Sequence, residues 1–225
     1  MEITIESVFT HRKELCNDLV DVVGVPEKLL RLTTFAIASA ALYGATMGGF
    51  HSGLPAAASA VKTPALFLLT LLVCLPALHF VGLLFGSRVR FSQSLVVLMA
   101  GVCQTSILLG SFSPISLFFL LSRSEYPFLL MMHVLIFAFC GAAGLASVYR
   151  NFQYLRQTVG ARNDTPFANH LLKVWMLLYM FVGTQMVWNL APFINRQGPV
   201  TVFNQLGGNF YTYIWDVLMH SSGRL

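Results

Sequence analysis

Long uncharged stretches alternate with short charged segments along this chain. No Asp, Glu, Lys or Arg occurs in residues 32–50, 64–85, 91–121 or 127–149. A helix rises 1.5 Å per residue, so about 20 apolar residues cross a hydrocarbon core about 30 Å thick. Stretches of this length and composition predict membrane-spanning helices.

The pattern predicts an all-α protein, a polytopic transmembrane helical bundle of about five spans within residues 29–190. A loop rich in Gly, Ala and Ser is predicted after the first span. Pro114 is expected to end the third span, which leaves residues 114–121 as an interfacial or re-entrant piece. The predicted spans cover about residues 29–50, 64–85, 91–112, 127–148 and 171–190.

Amphipathic helices are predicted in the cytoplasmic lead, residues 1–28, and in the outward-facing tail, residues 191–225. The lead carries six acidic and three basic residues, a net charge of −3. Helices that lie on an anionic leaflet are normally basic, so its apolar stripe is expected to dock on protein. That protein is either the bundle itself or a partner. The predicted docking residues are Leu15, Leu19 and Val22 in the lead, and Phe210, Tyr213, Ile214 and Val217 in the tail.

Composition and charge agree with a membrane location. Hydrophobic residues make up 56% of the chain and charged residues 10%, whereas soluble domains carry about 25% charged residues. The net charge of +5 comes from residues beside the spans rather than from one patch, so no nucleic-acid partner is expected. The positive-inside rule predicts that the N-terminus is cytoplasmic and that the C-terminus lies on the other side of the membrane. The expected location is a bacterial inner membrane, which places the C-terminus in the periplasm. This orientation leaves only four of the 14 basic residues outside: Lys62, Arg123, Arg196 and Arg224.

Small residues recur on one face of two predicted spans. They are Ala36, Ala40, Gly44 and Gly48 in the first span, and Gly141 and Gly144 in the fourth. Small side chains at a spacing of three or four let another helix backbone approach closely. That helix could belong to the same bundle or to another subunit.

A few polar residues lie inside the predicted spans. A ligand-binding or proton-sensing site is one interpretation, because ionisable groups within a membrane are functional candidates. The alternative is hydrogen bonding between helices, worth roughly 0.6 to 2 kcal/mol. The residues are His79, Gln104, His133, Thr184 and Gln185.

Motifs that carry chemistry are missing from the sequence. No Asp or Glu lies within a span, and no His or Cys residues have the spacing of metal ligands. Neither a G-x-S-x-G elbow nor a phosphate-binding G-x-x-x-x-G-K occurs. We therefore assign no catalytic, cofactor-binding or metal-binding residues and expect a protein that is not an enzyme and needs no cofactor.

Five spans behind a polar lead, with Pro76 in the second span, resemble the Yip-type family of integral membrane proteins. Trp188-x-x-x-Pro192-Phe193 followed by Gly208-Asn209-Phe210-Tyr211 resembles a pattern in poorly characterised bacterial membrane proteins. The first resemblance implies a role in membrane organisation or trafficking rather than catalysis. The tail after the last span departs from the compact ending of Yip-type proteins.

The residues favour a non-enzymatic scaffold or accessory subunit of a membrane protein complex. Its expected partners are the lipid bilayer and either other membrane protein subunits or further copies of itself. The alternative is a small transporter or channel whose path is lined by a polar cluster in the outer half of the bundle. That cluster would consist of Gln104, His133, Thr184 and Gln185.

Overall fold

The computed structural model describes five stretches of the chain and four positions of the tail. The stretches are residues 24–49, 53–84, 89–122, 126–158 and 166–190, and the tail positions are 211, 212, 215 and 219. The stretches contain six helices: α1 (Val25–Gly48), α2 (Gly53–Leu84), α3 (Phe91–Ser111), α4 (Ser113–Leu121), α5 (Tyr126–Thr158) and α6 (Pro166–Leu190).

The start of α1 follows from local sequence. Gly24 adopts a left-handed conformation (φ 64°), which glycine reaches without steric cost. Pro26 then occupies the first turn, where its missing N–H is no loss. Glu27 accepts a hydrogen bond of 3.0 Å from Arg31 one turn later, and its charge favours the positive end of the helix.

The third apolar stretch is interrupted at Phe112, between α3 and α4. Pro114 lies in the first turn of α4, directly after the interruption, so the third helix ends just before the proline, as predicted. Phe112 keeps right-handed helical angles (φ −82°, ψ −5°), and residues 91–121 therefore form an almost continuous apolar helical segment of 31 residues.

The loop predicted after the first span is shorter than expected. Helix α2 already begins at Gly53, so the prediction of a loop reaching Pro64 is wrong for residues 53–63. Alanine is the strongest helix former, and four alanines between positions 56 and 60 outweigh the neighbouring glycine and serine. Pro64 and Pro76 both lie inside this helix.

Helix α3 occupies the centre of the bundle. It packs against α1, α2 and α5, and its segment is the most buried of the apolar helices. Helix α1 also packs along α2, and α6 packs mainly on α2. The central core includes Val96, Val97 and Cys103 of α3, all fully buried.

The helical bundle confirms the predicted fold class. Among the described residues, four helical segments are long and apolar enough to cross a membrane, and α6 is a fifth long helix of 25 residues. The chain is an integral membrane protein. Residues 1–23 of the lead lie outside the described residues, and α1 already begins at Val25, within the predicted lead. In the tail, the described residues Tyr211, Thr212, Trp215 and Met219 are helical and exposed.

Candidate functional site: an apolar cleft within the bundle

Glycines bring helix backbones together at two crossings. A Cβ atom added to Gly44 of α1 would meet the carbonyl oxygen of Ser59 and lie 2.6 Å from Oγ1 of Thr63, both on α2. Ala36, Ala40 and Gly48 are buried as well. The small-residue face of α1 is therefore turned into the bundle.

The second crossing joins α3 to α5. A Cβ atom on Gly144 would meet Oγ1 of Thr105 and lie 2.9 Å from the carbonyl oxygen of Gly101. Gly141, one turn earlier on α5, behaves differently, because a Cβ atom there would have no neighbour within 4 Å. Only one of the two glycines predicted to mediate close packing on α5 does so within the described residues.

The open space beside Gly141 belongs to a cavity of about 290 Å³. Residues of α2, α3, α5 and α6 line it, and α5 and α6 face each other across it. Since α5 packs mainly on α3 and α6 mainly on α2, the two helices leave a cleft between them. The lining runs from Val134 to Val148 on α5 and from Trp175 to Val187 on α6.

The cleft offers little to a polar ligand. None of its lining residues is charged. Each of its three threonines donates its hydroxyl within its own helix: Thr70 to the carbonyl of Leu66 at 2.8 Å, Thr105 to that of Gly101 at 3.0 Å, and Thr184 to that of Phe181 at 2.8 Å. The Thr184 hydroxyl also lies 3.0 Å from the hydroxyl of Tyr211 in the tail. Because these bonds satisfy the hydroxyls, the surface of the cleft remains apolar.

One end of the cleft is fixed by a hydrogen bond between helices. Nε1 of Trp175 on α6 donates to the carbonyl oxygen of Cys74 on α2 at 3.0 Å. The Trp175 ring also lies 5.3 Å from the ring of Tyr179, which lines the same cleft. This contact holds α6 on α2 and sets the position of its cleft-lining face.

A buried hydrogen bond lies behind the cleft wall. The hydroxyl of Tyr43 on α1 and Nδ1 of His133 on α5 are 2.7 Å apart, and both side chains are buried. The ring of Phe137 contacts that of Tyr43 edge-on, with centroids 5.6 Å apart, and stacks on Phe67 at 6.1 Å. Phe67 and Phe137 line the cleft, so the aromatic rings connect the Tyr43–His133 pair to it.

The predicted intramembrane polar residues do not line one cavity. Of the five, only Thr184 lines the cleft. Gln104 and Gln185 are half-buried on α3 and α6, and His133 bonds to Tyr43. His79 is half-buried near the end of α2, with its ring 5.1 Å from that of Phe91.

Sequence reasoning did not identify Tyr43 and Trp175. A signal was available, because each carries a polar group on an aromatic ring inside an apolar stretch, and such groups find a partner when buried. The partners themselves lie 90 and 101 positions away along the chain, which no local pattern reveals.

Comparisons with known proteins identify no family for this chain. No family model, curated protein or solved structure matches the chain. Within the part of the chain that the structure describes, no three His, Cys, Asp or Glu side chains group together to hold a metal ion.

The predicted docking residues lie outside the described residues, and their role stays a prediction. They are Leu15, Leu19, Val22, Phe210, Tyr213, Ile214 and Val217.

Proposed function

We propose that this protein is a non-enzymatic accessory or scaffold subunit of a membrane protein complex. Its docking surface is the outward face of α1, which receives a transmembrane helix of another membrane protein. The N-terminal lead, with its net negative charge, adds a second contact on the cytoplasmic side.

The observation that carries this proposal is a second small-residue face on α1. Thr34, Ala38, Ala41 and Ala45 recur at spacings of four, three and four, which places them along one side of the helix. Thr34 and Ala38 are exposed, and Ala41 and Ala45 are half-buried. These residues are separate from the buried stripe that contacts α2 and α3.

Small residues on the outer face of a membrane helix favour packing against another helix over contact with lipid. Without a hydrophobic driving force in lipid, helices associate through close backbone approach, which small side chains permit. Helix α1 has room for such a neighbour, because its apolar segment is 28% buried, the lowest share of the four candidate spans. The hydroxyl of Thr34 donates to the carbonyl of Leu30 at 2.8 Å and therefore tolerates an apolar surrounding.

The proposed orientation places the N-terminus in the cytoplasm and the C-terminus in the periplasm of a bacterial inner membrane. The distribution of Lys and Arg residues beside the spans supports it. A partner helix on α1 would then enter the bilayer beside the lead.

Photocrosslinking in native membranes tests the docking surface. A photoreactive phenylalanine at Ala38 is expected to give a discrete protein adduct with a partner. The same residue at Leu72 of α2, which is 66% exposed, is the control and should react with lipid alone. Absence of a protein adduct at Ala38, or equal adducts at both positions, would refute the proposed surface.

A further inference from the structure

We propose that the cleft between α5 and α6 binds one acyl chain of a phospholipid from the surrounding bilayer. This inference is independent of the accessory role, because the cleft and the outward face of α1 share no residues.

The size of the cleft favours a hydrocarbon chain over a helix. Its lining extends over 15 residues of α5, from Val134 to Val148, or about 21 Å at the helical rise. A helix of that length and about 10 Å diameter fills roughly 1,600 Å³. An extended chain needs a channel of about 4 Å diameter, the contact distance between carbon atoms, and so fills roughly 250 Å³. The cavity of about 290 Å³ is too small for a helix and leaves room for a hydrocarbon chain.

The chemistry of the cleft agrees with an apolar ligand. Its walls are aliphatic and aromatic, and its threonine hydroxyls donate within their own helices. A polar or charged ligand would lose its hydration without gaining hydrogen bonds, at a cost of several kcal/mol. An acyl chain has no such desolvation cost, since it leaves an equally apolar bilayer.

An entrance for the chain lies along the gap between the two helices. Ala138 and Ala142 of α5 and Met180 of α6 line the cleft and are also exposed on the surface of the bundle. The gap between α5 and α6 thus opens sideways, toward the lipid. The empty space at Gly141 lies between Ala138 and Ala142 on the same helix and is therefore next to the entrance.

Tryptophan quenching by brominated lipid tests the site directly. Trp175 lines the cleft but is only 5% exposed, so lipids outside the bundle have little contact with it. The full-length protein with Trp188→Phe and Trp215→Phe keeps Trp175 as its one tryptophan. In nanodiscs of phosphatidylcholine with brominated acyl chains, Trp175 is expected to lose most of its emission relative to unbrominated nanodiscs.

A cavity-filling variant and a matched control decide the outcome. Gly141→Leu fills the cleft without a clash at its Cβ atom, and Trp175 should then keep most of its emission. Leu135→Phe adds bulk to an exposed position of the same helix outside the cleft, and quenching should persist. Equal quenching in Gly141→Leu and Leu135→Phe would overturn the proposal. Quenching that appears only after deletion of residues 191–225 would also overturn it, because the tail of the chain would then be the occupant.

Discussion

The hydroxyl of Tyr43 and Nδ1 of His133 lie 2.7 Å apart, although the two residues are 90 positions apart in the sequence. Tyr43 belongs to α1 and His133 to α5, and each helix packs along α3. The hydrogen bond therefore joins the two outer helices across the central one. Leu109 of α3, fully buried, belongs to the same hydrophobic cluster as Tyr43.

The Tyr43–His133 bond should contribute measurably to stability. In a double-mutant cycle of Tyr43→Phe and His133→Leu, we expect a coupling energy of roughly 0.6 to 2 kcal/mol, the range of hydrogen bonds between membrane helices. Reversible unfolding in mixed micelles measures each variant. Strictly additive effects of the two substitutions would show that the bond contributes nothing.

Substitution by alanine should lower the stability of the protein at Gly44 but not at Gly141. Gly44→Ala forces a Cβ atom against the Ser59 carbonyl and Thr63, and overpacking of this kind typically costs about 1 to 3 kcal/mol. Gly141→Ala meets open space and gains helix propensity, so its stability should be unchanged or slightly higher. Melting temperatures of the two purified variants test this contrast. A larger loss in Gly141→Ala than in Gly44→Ala would contradict the described helix crossing.

Helix α6 should loosen when Trp175 can no longer donate to Cys74. Trp175→Phe keeps an aromatic ring but removes the bond of 3.0 Å, which is worth about 0.5 to 1.5 kcal/mol net. Hydrogen–deuterium exchange along α6 should accelerate by a corresponding factor of about 2 to 12. Phe181→Leu, at an exposed position of the same helix, leaves this bond in place and serves as the control. Unchanged exchange in Trp175→Phe would mean that other contacts hold α6 on α2.

The proposed orientation makes a prediction about the two ends of the chain. Cys16 is native to the lead, and Ser222→Cys places a thiol in the tail. In intact cells, a membrane-impermeant maleimide should label the tail thiol and leave Cys16 unlabelled until the membrane is opened. Labelling of both thiols from the same side would disprove the orientation and the compartments assigned to the two docking segments.

Much of the fold could be predicted from hydrophobic pattern alone, because a membrane requires long apolar helices and permits few alternatives. The ends of the helices were harder to predict from the sequence. The Ala-rich start of α2 near Ala56 lies outside the uncharged stretch that defined the second span, since Lys62 interrupts the pattern without interrupting the helix. The length of an apolar stretch predicts that a helix crosses the membrane, whereas helix propensity decides where that helix begins.

The candidate site was harder to predict from the sequence than the fold. Small residues on α5 indicated close packing, but the pattern could not separate Gly144, which contacts α3, from Gly141, which faces the cleft. The cleft exists because α5 and α6 pack on different helices, and that is a property of the whole bundle. His133 was identified from its sequence, but Tyr43, its partner, required the three-dimensional arrangement.

The mass of the protein assembly after gentle extraction tests the accessory role most directly. Light scattering with correction for bound detergent gives the protein mass of the particle that contains the full chain, whose own mass is 24.9 kDa. We predict a larger assembly that contains a second membrane protein, and a return toward 24.9 kDa when Ala38→Trp blocks the outward face of α1. A single chain of 24.9 kDa from native membranes, unchanged by Ala38→Trp, would contradict the proposed function.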